Sequence, residues 1–358
     1  AAVLGRNSGM FQSSATFFDV IAQDPVLSRV KLIAEPWDIG AYEVGNFPVD
    51  WSEWNGRFRD CVRKFVKGDG GQIRELGWRL AGSADLYGDD GRKAYNSVNF
   101  ITCHDGLTLH DLTAYNGKHN DANLEANNDG SNDNASWNCG VEGDTDDASV
   151  LQLRRQLARN HMCLLMFALG TPMLLGGDEF LRSQGGNNNA YCQDNDISWF
   201  DWSAAKRNAD FTEFCRRLIA LTRRYPALQR RKFLQGTDSN ADGMADINWF
   251  GTDGNAPRWD DLEARTLCYR LDGAEFSAKS GGGVDSRGRY SLFVILNADH
   301  STQPVRLPST GTDLRWHRVI DTSLEVGNDI LGPGEEVLID PAGEYLCNAR
   351  STVLLLGR

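Results

Sequence analysis

Val30-Lys31-Leu32-Ile33-Ala34-Glu35-Pro36-Trp37-Asp38 and, further on, Val98-Asn99-Phe100-Ile101-Thr102-Cys103-His104-Asp105-Gly106 decide the fold. Each is a short apolar run that ends in polar, acid-bearing chemistry. Runs of this length bounded by Pro or Gly suit buried parallel strands. In a β/α barrel the residues at the carboxyl ends of such strands build the active site. Thr171-Pro172-Met173-Leu174-Leu175-Gly176-Gly177-Asp178-Glu179 repeats the pattern, so the acids are expected on one side of a sheet.

Helices are expected between these strands. Phe17 to Leu27 and Asp60 to Val66 are amphipathic, and Ala148 to Leu169 carries an apolar stripe of Val150, Leu153, Leu157, Leu164 and Ala168. Asp146 or Asp147 can cap the latter helix and Gly170 can stop it. Ala209 to Tyr225 is a further helix, closed by Pro226. The Asn/Asp/Gly-rich tract from Ala114 to Asp147 contains Trp137-Asn138-Cys139-Gly140, which argues for an ordered loop over disorder. Beyond about Phe233, short runs at 266–271, 291–296 and 352–356 alternate with Gly, Asp and Asn turns, the pattern of an antiparallel sandwich. The predicted fold class is thus α/β, with part of a β/α barrel over 1–232 and a β-sandwich over 233–358. Ser280 to Gly288 reads as a glycine-rich surface loop.

Composition narrows the function classes. The 358-residue chain carries a net charge of -12, which disfavours nucleic acid or an anionic membrane as partner. No apolar run nears the ~18 residues of a membrane span. The eight cysteines form no C-x-x-C pair, so they read as reduced thiols of a cytoplasmic protein, with no zinc site, metal or cofactor expected. Asp238-Ser239-Asn240-Ala241-Asp242-Gly243 is a weak match to a calcium loop, with Trp249 where the twelfth-position Glu belongs. Nothing in the sequence fixes the oligomeric state.

Four blocks, in order, resemble glycogen debranching enzymes of the isoamylase type, in the α-amylase superfamily. They are Ile33 to Asp38, Asn99 to Gly106, Gly185-Gly186-Asn187-Asn188-Asn189-Ala190-Tyr191, and Ile197-Ser198-Trp199-Phe200-Asp201-Trp202. The resemblance implies a (β/α)8 barrel followed by a small β-sandwich, and hydrolysis of α-1,6 branch linkages in glycogen or limit dextrin with retention. It implies Glu35 as general acid/base, Asp105 as transition-state stabiliser, and His104 as a contact to sugar hydroxyls. Such an acid must hold its proton near neutral pH while the stabiliser stays charged. Trp37, Tyr42, Trp51, Trp54 and Trp78 are expected to cluster around the cleft, where aromatic faces stack on sugar rings. Trp51 to Asp60 matches a further family block and makes Trp54, Asn55 and Arg57 substrate-side candidates. Asn187 either binds sugar hydroxyls or caps a turn, and Asp178 and Glu179 are expected to support a loop.

The sequence departs from the family in one respect. The resemblance puts the nucleophile, an Asp, on a strand just before the segment matching Ala1 to Arg6. Asp19 and Asp24 lie on or beside a helix and are not expected to replace it. The chain is therefore expected to be the C-terminal part of a debranching enzyme, inactive by itself, because a retaining glycosidase needs its covalent nucleophile. The rival expectations are a non-catalytic glucan-binding subunit of the superfamily, or a trehalose-pathway or branching relative.

Overall fold

The computed structural model describes residues 1–238, 241, 243–273, 290–310, 314–339 and 343–358. The Ser280 to Gly288 loop, and Ser239, Asn240 and Asp242 of the calcium-like stretch, lie outside the described residues.

Four parallel strands form the first sheet: β1 (Leu32–Ala34), β2 (Trp51–Trp54), β3 (Ser97–Phe100) and β4 (Thr171–Met173), hydrogen-bonded in that order. Register sets Ala34 beside Glu53, Trp54 beside Val98, and Phe100 beside Met173. Strand ends that carry chemistry are thereby aligned. β2 was not expected as a strand, because its Trp-Ser-Glu-Trp lacks an apolar run. It is central, and Glu53 is tolerated there through buried partners: the Arg92 guanidinium at 2.5 Å and the Phe47 N–H at 3.0 Å. β1 and β4 are the edges, which explains two departures from expectation. Ile33 is 46% exposed although its run is apolar. Pro172 sits within β4, as edge strands permit.

The helices on this sheet are α1 (Thr16–Gln23), α2 (Gly56–Lys67), α3 (Ile73–Leu80), α4 (Ala148–Phe167) and α5 (Ala209–Arg224). Asp147 is the cap of α4, accepting from Ser149 N at 2.8 Å. The chain then turns at Gly170, where φ is +143° and a Cβ would lie 2.4 Å from Asn99 Nδ2. Only glycine lets this turn approach β3, whose Asn99 amide bonds the Leu169 carbonyl at 3.0 Å.

The antiparallel part follows: β5 (Ile247–Phe250), β6 (Thr266–Asp272), β7 (Ser291–Asn297), β8 (Gln303–Arg306), β9 (Trp316–Asp321), β10 (Val337–Leu338), β11 (Glu344–Cys347) and β12 (Ser351–Gly357). Six of them form one sheet, in order β10-β9-β12-β7-β6-β5, and β8 pairs with β11. One face of the large sheet packs Phe293, Ile295, Val353 and Leu355 with Val305 and Cys347 of the small ladder. Its other face sends Leu292, Val294, Leu354 and Leu356 into the same core as Phe58, Leu76, Leu157, Leu164 and Phe214 of the helices. The two parts thus share their largest core.

Helix α4 is the seam. Arg154, Arg159, Asn160 and His161 are buried along with its apolar stripe. Asn160 donates to Arg350 O at 2.6 Å and accepts from Thr322 Oγ1 at 2.6 Å, and Arg159 pairs with Asp329 at 3.1 Å. Burial holds the His161 imidazole neutral, with its pKa lowered to about 3. All eight cysteines are free thiols, and all but Cys192 are buried. Among the described residues no helix is long and apolar enough to cross a membrane.

Candidate active site

Glu35 follows β1 directly, and His104 and Asp105 follow β3. Their ligand atoms converge: one atom from each lies within 4.8 Å of the others. His104 Nε2 stands 3.2 Å from Asp105 Oδ2, both side chains being more than half exposed. Two acids and an imidazole facing solvent at strand carboxyl ends can donate a proton, stabilise a cation and bind hydroxyls. The same donors suit a divalent cation, and sequence spacing could not show this because they arrive from different strands. Among the described residues this is the one such group.

An aromatic wall flanks the acids. Trp37 and Tyr42 pair across a two-residue hairpin ladder and stack at 5.9 Å, with planes 11° apart. Trp54, ending β2, lies 5.7 Å from the His104 ring and 5.5 Å from Phe100. Trp37 approaches Trp54 at 6.5 Å. Arg59 of α2 lies 5.8 Å from the Trp37 ring centre and pairs with Asp60 at 2.6 Å. Gly56 makes room for the wall, since a Cβ there would meet Tyr42 Oη at 2.5 Å.

Three expectations need correction. Asn55 is fully buried and does not face substrate: it caps α2 through Phe58 N at 2.9 Å and donates to Ser83 Oγ and Ser97 Oγ. Asn187 is 1% exposed, with its amide on Asn123 Oδ1 at 2.9 Å and its oxygen on Asn189 N, so it braces a loop and does not reach sugar. Trp51 belongs to a separate core with Phe18 and Phe47, and Trp78 is exposed on α3 without a ring contact to the cluster. Arg57 is exposed at the start of α2.

What holds the acids in place was mostly hidden from the sequence. Asp178 is buried and binds both ends of the segment bearing His104 and Asp105: the Thr102 hydroxyl before it, and the Leu109 N–H at 3.0 Å after it. Burial pushes the Asp178 carboxyl up to about 7, against the pull of those two hydrogen bonds. Gly106 N donates to Asn188 O at 2.8 Å, and Asn188 is in turn held by Asn120 and Asn134. Arg63 donates to Ile101 O at 2.8 Å, its pKa lowered by burial to about 10. Asp178 was expected as a loop support from its place after the last apolar run; for Asn188 and Arg63 the sequence carried no signal beyond an excess of Asn and Asp in loops.

Parallel strands with acids at their carboxyl ends, and an antiparallel sandwich sharing their core, define the barrel-plus-sandwich class of the α-amylase superfamily. Residues 246–356 match the family described as isoamylase, C-terminal, and over nine-tenths of its length the chain is similar to isoamylase-type proteins. It is 43% identical over 338 residues to the glycogen operon protein GlgX homolog of Mycobacterium bovis, covering 92% of this chain and 46% of that one. Identity to the isoamylase of a Flavobacterium species is 39% over 342 residues, covering 91% and 42%. The solved pullulanase type I of Bacillus subtilis shares the fold with a TM-score of 0.62 at 21% identity, covering 91% and 39%. The chain thus spans less than half the length of these relatives.

Proposed function

We propose that the chain forms the acid/base side of a retaining α-1,6-glucosidase that debranches glycogen or limit dextrin. The observation that carries this is the convergence of Glu35, His104 and Asp105 within 4.8 Å beside an aromatic wall. Glu35 protonates the glycosidic oxygen of the branch and later deprotonates water. Asp105 faces the positive charge that grows at the anomeric carbon, and His104 hydrogen-bonds a hydroxyl of the same sugar. Trp54 and the Trp37–Tyr42 pair offer flat apolar faces to the neighbouring glucose units. The covalent intermediate needs a further carboxylate about 5–5.5 Å from the acid. No other described acid joins the cluster, so in this reading the nucleophile stands outside it.

The GlgX and isoamylase relatives support the branch-cleaving reading, and a pullulanase of Paenibacillus barengoltzii has been solved with maltohexaose and α-cyclodextrin. We take residues 1–232 as the catalytic part and 233–358 as the sandwich. The free thiols fit a reducing cytoplasm. The test is release of linear chains from glycogen. The 358-residue chain alone should release none, because loss of a nucleophile costs roughly 10⁴–10⁶ in rate. In the full-length protein Glu35→Gln should abolish release with KM little changed. Hydrolysis by the chain alone, or by the Glu35→Gln protein, overturns the assignment.

A further inference from the structure

A second cavity, of about 400 Å³, opens between the 110–115 segment, helix α4 and the 181–208 segment, which ends in a short helix (Trp202–Arg207). Its size falls within the roughly 300–1,000 Å³ of small-molecule sites. Glu35, His104, Asp105 and Trp54 do not line it. Its wall is Trp199, 56% exposed, whose indole N–H is tied to Asp194 Oδ1 at 2.9 Å. That bond fixes the ring plane, and among the described residues Trp199 stacks on no other ring. A fixed, unshared indole face beside a cavity is a platform for a flat apolar surface.

The rest of the lining is polar, and its charges decide the ligand class. All four lining guanidinium groups have partners: Arg155 with Asp210 and Asn208, Arg207 with Asp201 at 2.7 Å, Arg154 with backbone carbonyls including Gly143 O at 2.7 Å, and Arg182 with Gln184 Oε1 and the Phe200 ring, 4.7 Å from its centre. An anion would have to share a guanidinium that already holds a partner. Asp144 and Asp196 also line the cavity and make no ion pair among the described residues, yet the lining acids do not converge as a metal site requires. The Ser183 hydroxyl is held by Asp111 Oδ1 at 2.6 Å and Gly185 N at 2.9 Å, while His110 adds an imidazole whose Nε2 can donate or accept. Free acceptors, an amphoteric imidazole and one aromatic face match a neutral polyhydroxylated ring.

We infer that this cavity is a second α-glucan site, with Trp199 as its stacking platform and Asp196 as a hydroxyl acceptor. The choice of an α-glucan over another neutral sugar rests on the proposed function. Such a site would hold one chain of a branched polymer while another occupies the acid cluster, raising the local concentration of branches.

The experiment is 19F NMR of the chain with its ten tryptophans labelled as 5-fluorotryptophan, titrated with maltotetraose. Trp54→Phe and Trp199→Phe assign the two resonances. The Trp199 signal should shift saturably and should do so unchanged in a Trp54→Ala chain. Asp196→Ala should weaken that curve about tenfold, the loss of one charge-assisted hydrogen bond, and leave the Trp54 curve alone. A Trp54 shift with Trp199 unmoved overturns the second site and leaves the proposed function standing. A Trp199 shift with Trp54 unmoved keeps the second site and removes the cleft assignment. A Trp199 shift that disappears in Trp54→Ala, or one elicited by inorganic sulfate in place of sugar, overturns the second site.

Discussion

Asp178 accepts the backbone N–H of Leu109 at 3.0 Å from a position 69 residues away in sequence. Its other oxygen takes the Thr102 hydroxyl, so one buried carboxyl spans the loop that presents His104 and Asp105. The pair ties β4 to the far side of the active-site segment, and it makes the loop's geometry depend on a titratable group.

The pH dependence follows from that burial. The Asp178 carboxyl titrates near 7 in the fold, above its ordinary value of 3.8. Between those limits the folded chain binds more protons than the unfolded one, so this group's contribution to stability falls as pH rises through the window. The full cost above pH 7 is up to about 4 kcal/mol. Asp178→Asn keeps an acceptor and removes the titration. Its unfolding free energy, from urea titrations, should lose a negative slope of about 1.4 kcal/mol per pH unit between pH 4.5 and 7. Parallel slopes in the two proteins would show that Asp178 does not titrate there.

Gly56→Ala separates the aromatic wall from stability. Alanine suits a helix better than glycine by up to about 1 kcal/mol. Its Cβ nonetheless occupies the place of Tyr42 Oη, 2.5 Å away. Maltotetraose affinity at the Trp54 resonance should fall several-fold while the thermal midpoint stays within a few degrees. Unchanged affinity would mean that the Trp37–Tyr42 stack does not meet the sugar.

Asn160→Ala tests the seam between the two parts. It removes one donor to Arg350 O, which keeps Gln156 Nε2 at 2.8 Å, and the buried acceptor of the Thr322 hydroxyl. The one buried hydroxyl left without an acceptor costs about 1–3 kcal/mol. Urea unfolding should shift accordingly, and amide exchange should quicken at 349–352. An effect confined to α4, with the sheet still protected, would show that the two parts are not coupled there.

The Glu53–Arg92 pair is the buried brace of β2. Burial raises the Glu53 carboxyl above its usual range, while Gly45 N, Phe47 N and Arg92 pull the other way. Glu53→Ala removes the buried acid from the Arg92 guanidinium, which keeps Asp90 at 2.6 Å, the Gly45 carbonyl and the Tyr87 ring. A loss of about 3–5 kcal/mol is expected. A loss under 1 kcal/mol would show that Asp90 alone suffices.

By itself the sequence determined the elements whose signals are local. Apolar runs gave β1, β3 and β4, capping chemistry gave α4 with Asp147, and short alternating runs gave β6, β7 and β12. It also placed Glu35, His104 and Asp105 at strand ends, because an acid after an apolar run is visible in one dimension. It failed at β2, whose Trp-Ser-Glu-Trp is a strand only because Arg92 and two backbone amides neutralise Glu53. It also failed at Asn55 and left Asn187 undecided: an asparagine's residue type is the same whether its amide meets sugar, a helix end or a loop. The apolar stripe of α4 carried no sign of its buried polar groups, yet Asn160 and Arg159 meet partners from 322 to 350. The reason is common to these cases. Patterns report which groups leave water, whereas the partner that satisfies a buried polar group comes from anywhere in the chain, so only the tertiary structure decides it.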